Sequence, residues 1–445
     1  MCSATFGATP VYRCTCAASS IFSNASRGTP GWAVDYGLLD ADGQLLSSPV
    51  HYRDARTTPV VADLLDRVGA RQMYAATGIQ LQPFNTIFQL LAERTSAQFA
   101  AARHALLIAD LVSYWLSGTL GTELTNASTT GLIDARTRTW AGTFASRIDA
   151  PIDLFPPLRE PGNVIGKLTP DAQSDAGLAA APHVITVPSH DTAAAVAGVP
   201  AETAHFAYVC TGTWALAGVE LAAPIITPAA AEANFTNELG ADGTIRFLRN
   251  VTGFWLLQEC MRDWQAAGTD VDIAALTDAA AQLPAARAVI DVQDPGFLAP
   301  GDMPRRIAAA CLRASGITLS NPAEITRCVL DSMALAVRQA IQDAIRLSEH
   351  RVDVVHVVGG GVSNTLFCQL VADACQLPVL AGPSEAASWG NAVFQARALG
   401  ILEGSLAHGR ALIRCSQPPI QYRPTGDGRT WERAADLVRP GHFLT

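Results

Sequence analysis

Residues 324–375 read EITRCVLDSMALAVRQAIQDAIRLSEHRVDVVHVVGGGVSNTLFCQLVADAC, and this stretch decides the fold. Apolar residues recur through residue 350 at the helical period, so a long and largely buried helix is predicted. The β-branched run VDVVHVV then reads as a strand, closed by Gly359, Gly360 and Gly361, and a second helix opens near Asn364. A helix feeding a strand that feeds a helix implies parallel strands joined by crossovers, which places the chain in the α/β class.

The same reading extends in both directions. Downstream, QLPVLAGPSEAASWGNAVFQARALG gives a short strand, a Gly-Pro loop and a helix. Upstream, HFAYVC, TGTW and LAGVEL read as a strand, a Gly turn and its partner strand. Before them, HVITVPSHDTAAAVAGVP gives a β-branched strand, a Pro-Ser-His-Asp turn and a small-residue helix that ends before Pro200. Nearer the start, WAVDYGLLDADGQLL alternates around the turn signal Asp40-Ala41-Asp42-Gly43 and predicts a hairpin of two strands. Between these, VADLLDRVGARQMYAATG and TIFQLLAERTSAQFAAARHALLIADLVSYWLSG carry helical spacing with Gly stop signals, and predict a mostly helical region. Each half thus shows hairpin strands followed by helices, as two related α/β domains with mixed sheets facing a cleft would. The expected divisions are an atypical segment at 1–30, one domain at 31–198 and a second at 199–445.

Composition narrows the function classes. The chain has 445 residues, 49% hydrophobic and 16% charged, with 35 Gly and 26 Pro. That size and balance predict two or three domains of a turn-rich α/β enzyme. A formal net charge of -9 without any Lys/Arg block excludes a nucleic-acid binder, which needs a basic stripe to neutralise phosphates. The most apolar run, ALLIADLVSYWL, is too short for a bilayer and is interrupted by Asp110. The start, MCSATFGATPVYRCTC, lacks a basic stretch followed by a continuous apolar one, so a soluble, cytoplasmic protein is expected. Ten cysteines show no CxxC pair and no zinc-type Cys/His spacing, so buried thiols are expected. Cys311 and Cys328 would meet if the helices that carry them pack together.

Phosphoryl transfer to a hydroxyl needs a carboxylate to take the proton, backbone donors around the phosphates, and a divalent metal. Asp191, in Ser189-His190-Asp191-Thr192-Ala193, stands where a strand ends and a helix begins. There it is either an ionised general base or a simple helix cap. Two Gly turns after apolar strands, Thr211-Gly212-Thr213-Trp214 and Gly359-Gly360-Gly361, are either phosphate-contacting turns or plain ones. Neither has the spacing of a dinucleotide fingerprint or of a Lys-bearing phosphate loop.

PSHDTAAAV, TGTWAL, FLRNVTGFWLLQE, VVGGGVSNTLFCQLVADAC and GPSEAASWGNA resemble, in this order, successive motifs of the FGGY family of carbohydrate kinases. Earlier, WAVDYGLLDADGQ, YRDART, GIQLQPFNTIFQL, ALLIADLVSYWLSG and ELTNASTTGLID resemble the family's sugar-binding half. The resemblance runs from about Trp32 to about Leu402. It implies an actin-like ATPase fold, two RNase H-like domains closing around a sugar and a nucleotide. It implies ATP and Mg2+ as cofactors, and transfer of the γ-phosphate to O1 of a ketose, here L-rhamnulose. Another sugar or polyol, or a catalytically impaired sugar-binding role, are the alternatives.

By matching positions, the resemblance makes Asp191 the base, and it places Ala33, His190, Thr192 and Asn250 against the sugar. Ala33 replaces a family Gly, a change that would narrow the pocket. Thr213 is placed near the phosphates, and Gln258 and Gly360 by the adenosine. Trp32, Tyr36 and Phe84 are candidates for apolar faces against a sugar, or core residues. Arg53 and Arg56 either order the sugar site or pair with Asp35 and Asp54. Two features depart from the family pattern. Asn237-Glu238-Leu239-Gly240 replaces its Asn-Glu-Gly-Gly. The family also opens with an Asp-bearing strand and a Gly/Ser hairpin that grips phosphate, whereas residues 1–30 contain no acidic residue. That phosphate-binding segment therefore reads as missing or replaced.

Overall fold

The computed structural model describes residues 26–269, 271–426 and 428–438. The atypical segment falls outside the described residues up to residue 25. In the first half, β1 (Ser26–Arg27) pairs in parallel with β5 (His183–Ile185), and β4 (Val164–Lys167) pairs antiparallel with β5. A separate ladder joins β2 (Tyr36–Leu39) antiparallel to β3 (His104–Leu107), from Tyr36 opposite Leu107 to Leu39 opposite His104. Around these lie α1 (Thr58–Arg67), α2 (Ala70–Thr77), α3 (Thr86–Glu93), α4 (Ile108–Ser117) and α5 (Asp191–Ala197). Gly69 separates α1 from α2 and Gly78 ends α2 at φ 76°, a left-handed backbone that a side chain would strain.

The second half is built on one seven-stranded sheet. Its strands are β6 (Phe206–Thr211), β7 (Trp214–Leu221), β8 (Thr236–Leu239), β9 (Ile245–Thr252), β10 (Val354–Gly359), β11 (Val379–Ala381) and β12 (Ile420–Tyr422). The spatial order is β8-β9-β7-β6-β10-β11-β12, with β6, β10 and β11 mutually parallel and the outer pairs antiparallel. The mixed sheet follows from its connections: tight turns join β6 to β7 and β8 to β9, while β10 and β11 are joined through a helix.

The helices of this half are α6 (Trp255–Ala266), α7 (Met303–Ser315), α8 (Pro322–Ser348), α9 (Thr365–Cys375), α10 (Ala386–Ala398) and α11 (Leu406–Ser416). Twenty-seven residues long, α8 is the helix of the opening motif. Pro322 opens it and the Asn321 side chain caps it, accepting from Glu324 N at 3.0 Å. Its Val329, Met333, Val337 and Ala340 pack on Val209, Ala217 and Phe247 of the sheet. The other face of that sheet receives α5 and α10, through Ala195, Val196 and Ala386 against Phe206, Tyr208 and Val358.

The crossing of α5 and α10 is unusually close, because only small residues line it. A Cβ on Gly198 would stand 2.1 Å from Ala386 O, and one on Gly390 1.9 Å from Ala194 O. The helix expected between the strand HVI and Pro200 is thus present, and its small residues serve the crossing.

Two sequence expectations need correction. The hairpin of residues 32–46 turns as expected, with Asp40 N donating to Gln44 O at 3.0 Å, but its return limb makes a single bridge between Leu45 and Leu39. Pro49 cannot donate to a ladder, and β2 instead pairs with β3 along its length. β3 itself lies in HALL, inside the stretch read as helical. Three of its four residues are buried, so no alternation marks it as a strand.

Among the described residues, no helix is long and apolar enough to cross a membrane. Cys311 on α7 and Cys328 on α8 do meet, as buried free thiols within hydrogen-bonding contact.

Buried in β10, His356 packs edge-on against Phe206 at 5.6 Å, and among the described residues its Nδ1 has no partner. Burial first, then the nearby Arg410 and Arg414, push its pKa down from 6.5 to about 3. Between those values the unfolded chain binds a proton that the native protein refuses. Stability is therefore full above pH 6.5 and falls as the pH drops through this window. His356→Leu is expected to reduce that slope by about one proton. Denaturant midpoints measured across pH 3 to 7 check this, and an unchanged slope would contradict it.

Candidate active site

The turn that carries Asp191 is fixed from behind by a buried carboxylate. Glu123 Oε2 accepts from Ser189 N at 3.0 Å and from Ser189 Oγ at 2.8 Å. Glu123 also accepts from Thr125 N, Thr125 Oγ1 and Asn126 N, at 2.9, 2.6 and 3.0 Å. Burial pushes its carboxyl up, and these donors pull it partly back. Beside it, Asp110 accepts from Glu123 N at 3.1 Å, and burial together with the Glu123 charge raises its carboxyl well above the usual range. On the other flank, Gly31 N donates to Ser189 O and Asp191 N donates to Gly31 O, both at 2.8 Å. That pairing lays Trp32 and Ala33 alongside His190 and Asp191.

Asp191 does not cap its helix. It is the first residue of α5 and His190 is the N-cap, with no side-chain capping bond. The Asp191 side chain is 52% exposed, and its Oδ1 accepts from Thr192 Oγ1 at 3.2 Å. It faces a cleft of ≈ 390 Å³ between the two halves. From the first half the cleft receives Trp32, Ala33, Gln80, Phe84, His190 and Thr192; from the second, Thr213, Trp214, Glu238, Asn250 and Gly359. Ala33, His190, Asp191, Thr192, Asn250 and Thr213 are therefore gathered in one place. Gln258 is exposed on α6 and Gly360 is exposed in the turn after β10, and neither lines this cleft.

One wall is aromatic. Tyr52 meets Phe84 at 5.5 Å between ring centroids, and Phe84 meets Trp214 at 5.7 Å. Arg53 lies over Trp255 at 4.2 Å and reaches toward Tyr52 and Trp214. Across from this wall, Asn250 Nδ2 donates to Gln80 Oε1 at 2.9 Å and Asn250 N to the same oxygen at 3.2 Å, a clasp between the halves.

The alternatives left open for Tyr36 and the two arginines part here. Tyr36 is buried away from the cleft and donates to Glu93 Oε2 at 2.5 Å, with burial raising its hydroxyl pKa. Arg56 pairs with Glu93 at 3.4 Å, so neither arginine pairs with Asp35 or Asp54 through its side chain. Asp35 is instead held by Trp32 Nε1 at 2.9 Å and by Gln89, and burial raises its carboxyl.

The sequence reading gives no role to Glu123, Gln80, Arg246 or Glu238, although Glu238 lies in the motif Asn237-Glu238-Leu239-Gly240. Glu238 sits in β8 and Arg246 in β9, 3.0 Å apart, and Arg246 is completely buried. Burial would raise the Glu238 carboxyl, but Arg246 and His190 outweigh it and hold it below the usual range. The available signal was an Arg inside the apolar strand IRFLRN: a charge there needs a buried partner.

The family's N-terminal domain pattern matches residues 28–198, and its C-terminal domain pattern matches 207–399. The chain belongs to the FGGY family of carbohydrate kinases. As such it is a phosphotransferase with an actin-like ATPase fold. The rhamnulokinase of Enterococcus faecalis is 40% identical over 398 residues, 89% of this chain and 79% of that protein. The rhamnulokinase of Bacteroides thetaiotaomicron is 38% identical over 414 residues, 93% and 84% of the two chains. Among solved structures, a xylulose kinase from Lactobacillus acidophilus superposes with TM-score 0.74 at 18% identity, covering 93% of this chain and 82% of that one. Plasmodium falciparum glycerol kinase with ADP gives TM-score 0.73 at 15% identity over the same shares. At such identities the superpositions speak for the fold alone.

Proposed function

We propose that this FGGY kinase transfers the γ-phosphate of ATP to the primary hydroxyl at C1 of L-rhamnulose. The carrying observation is Asp191, a partly exposed carboxylate fixed by its flanks and facing a cleft to which both halves contribute. In this reading the sugar hydroxyl gives its proton to Asp191 as its oxygen attacks the γ-phosphorus, and ADP leaves with the β–γ bridging oxygen. Residues 31–198 would supply the sugar side and 199–445 the nucleotide side. Ala33, His190, Thr192 and Asn250 would hold the ketose, with Thr213 near the phosphates and Gln258 and Gly360 toward the adenosine. The wall of Tyr52, Phe84 and Trp214 supports a substrate with an apolar deoxy carbon. The names of the curated relatives support the same substrate.

Among the described residues, no three metal-ligating side chains cluster. A magnesium ion would come with the nucleotide phosphates and would neutralise charge on them as the phosphoryl group moves.

ADP release measured against a panel of deoxy and ordinary ketoses and polyols tests the substrate. The expected result is the highest kcat/KM on L-rhamnulose; a background rate on it beside turnover of another sugar would reassign the substrate. Calorimetry that finds sugar binding without ATP binding would replace the kinase reading with a sugar-binding one.

A further inference from the structure

Arg246 is fully buried at the second position of β9, and its guanidinium meets three groups. Nε donates to Leu239 O at 3.3 Å, Nη1 stands 3.0 Å from Glu238 Oε2, and Nη2 lies 3.1 Å from His190 Nδ1. The same His190 Nδ1 is 3.4 Å from Glu238 Oε2, and on the opposite edge of the ring His190 Nε2 is 3.5 Å from Asp191 Oδ1. The ring is buried, so these neighbours rather than water decide where its proton sits.

A guanidinium only donates, and it stays charged in proteins. Two N–H groups cannot point at each other across 3.1 Å, so Nδ1 must offer its lone pair to Nη2. The neutral ring then carries its proton on Nε2. The competing state is an imidazolium donating to both carboxylates. It would set a second cation against Arg246 in a buried place, with N–H facing N–H along the shortest contact that the His190 ring makes here, 3.1 Å. Glu238 Oε2 is already 3.0 Å from the Arg246 charge, and its contact with Nδ1, at 3.4 Å, is longer than the one Nδ1 makes with Nη2.

We propose that Arg246 is a positioning residue of the kinase reaction: it holds His190 as the neutral Nε2–H tautomer, presenting a hydrogen-bond donor to the sugar beside Asp191. This rests on the reading of Asp191 as the base. The two neighbours then have opposite senses. Asp191 accepts the proton of the hydroxyl that is phosphorylated, while His190 Nε2–H donates to an oxygen on the adjoining carbon. A carbonyl or hydroxyl oxygen at that carbon fits, and the pair admits the ketose one way round. Because Arg246 and Glu238 come from the second half and His190 from the first, the donor is set only when the halves are together.

The test is the nitrogen-15 spectrum of ring-labelled histidine in the full chain without ligands, with His190→Gln used to pick one signal among the nine histidines. The expected result is a pyrrole-type Nε2 and a pyridine-type Nδ1 for His190. A proton on Nδ1, alone or together with Nε2, would overturn the proposal, and this reading needs no variant of Arg246 to fold. In a folded Arg246→Met protein the Nε2–H preference should be lost, and KM for the sugar should rise about 10-fold with a smaller change in kcat. Failure of the base reading looks different: Asp191→Asn would turn over normally whatever the tautomer.

Discussion

Asp191→Asn is expected to lower turnover by roughly 10²–10⁴-fold while sugar and ATP binding stay within about twofold. Asparagine has the same shape and can still accept from Thr192 Oγ1, so the 3.2 Å contact and the start of α5 survive. What it cannot do is take a proton from a hydroxyl. The hydroxyl must then attack while still protonated, and the loss appears in kcat because no ground-state contact has changed. Steady-state ADP release and calorimetry on the same preparation separate the two effects. An unaltered kcat would remove Asp191 from the mechanism, and a matched loss of sugar affinity would reassign it to binding.

Gly390→Leu is expected to cost on the order of 3 kcal/mol or more and to abolish activity along with it. The new Cβ would sit 1.9 Å from Ala194 O, a backbone atom that can move only if α5 and α10 separate. Gly390→Ala is the sharper version. It removes a helix-interior glycine, which alone would stabilise by about 1 kcal/mol, yet the contact should reverse that sign. Gly142→Ala, where a Cβ meets nothing within 4 Å, is the control and should be neutral or mildly stabilising. Thermal midpoints of the three variants decide the matter. A stabilised Gly390→Ala would mean that α5 and α10 can part at little cost.

The parts legible in sequence were those with local causes. The helix of residues 322–348 announces itself by period and cap, and the β6 to β7 hairpin by its Thr-Gly-Thr turn. Asp191 could be singled out because strand, turn and small-residue helix adjoin it within a dozen residues. Its supports could not. Ser189 is tied to Glu123 across 66 positions and His190 to Arg246 across 56, and no spacing rule reaches so far. β3 was hidden because its burial erases the alternation that marks a strand. For Arg53 and Arg56 the sequence leaves open a role at the sugar site or pairing with Asp35 and Asp54, because it cannot show their actual neighbours, Trp255 and Glu93, which come from elsewhere in the chain.

The packing of α5 has a mechanical consequence. By its hydrogen bonds to Glu123, through Ser189, the entry to this helix is anchored in the first half, while its apolar flank rests on the sheet of the second half. An element gripped by both jaws lies near the axis about which they turn. On the proposed reading, a carboxylate mounted there would travel least as the jaws shut, so closure would carry ketose and phosphate to it and leave its aim unchanged.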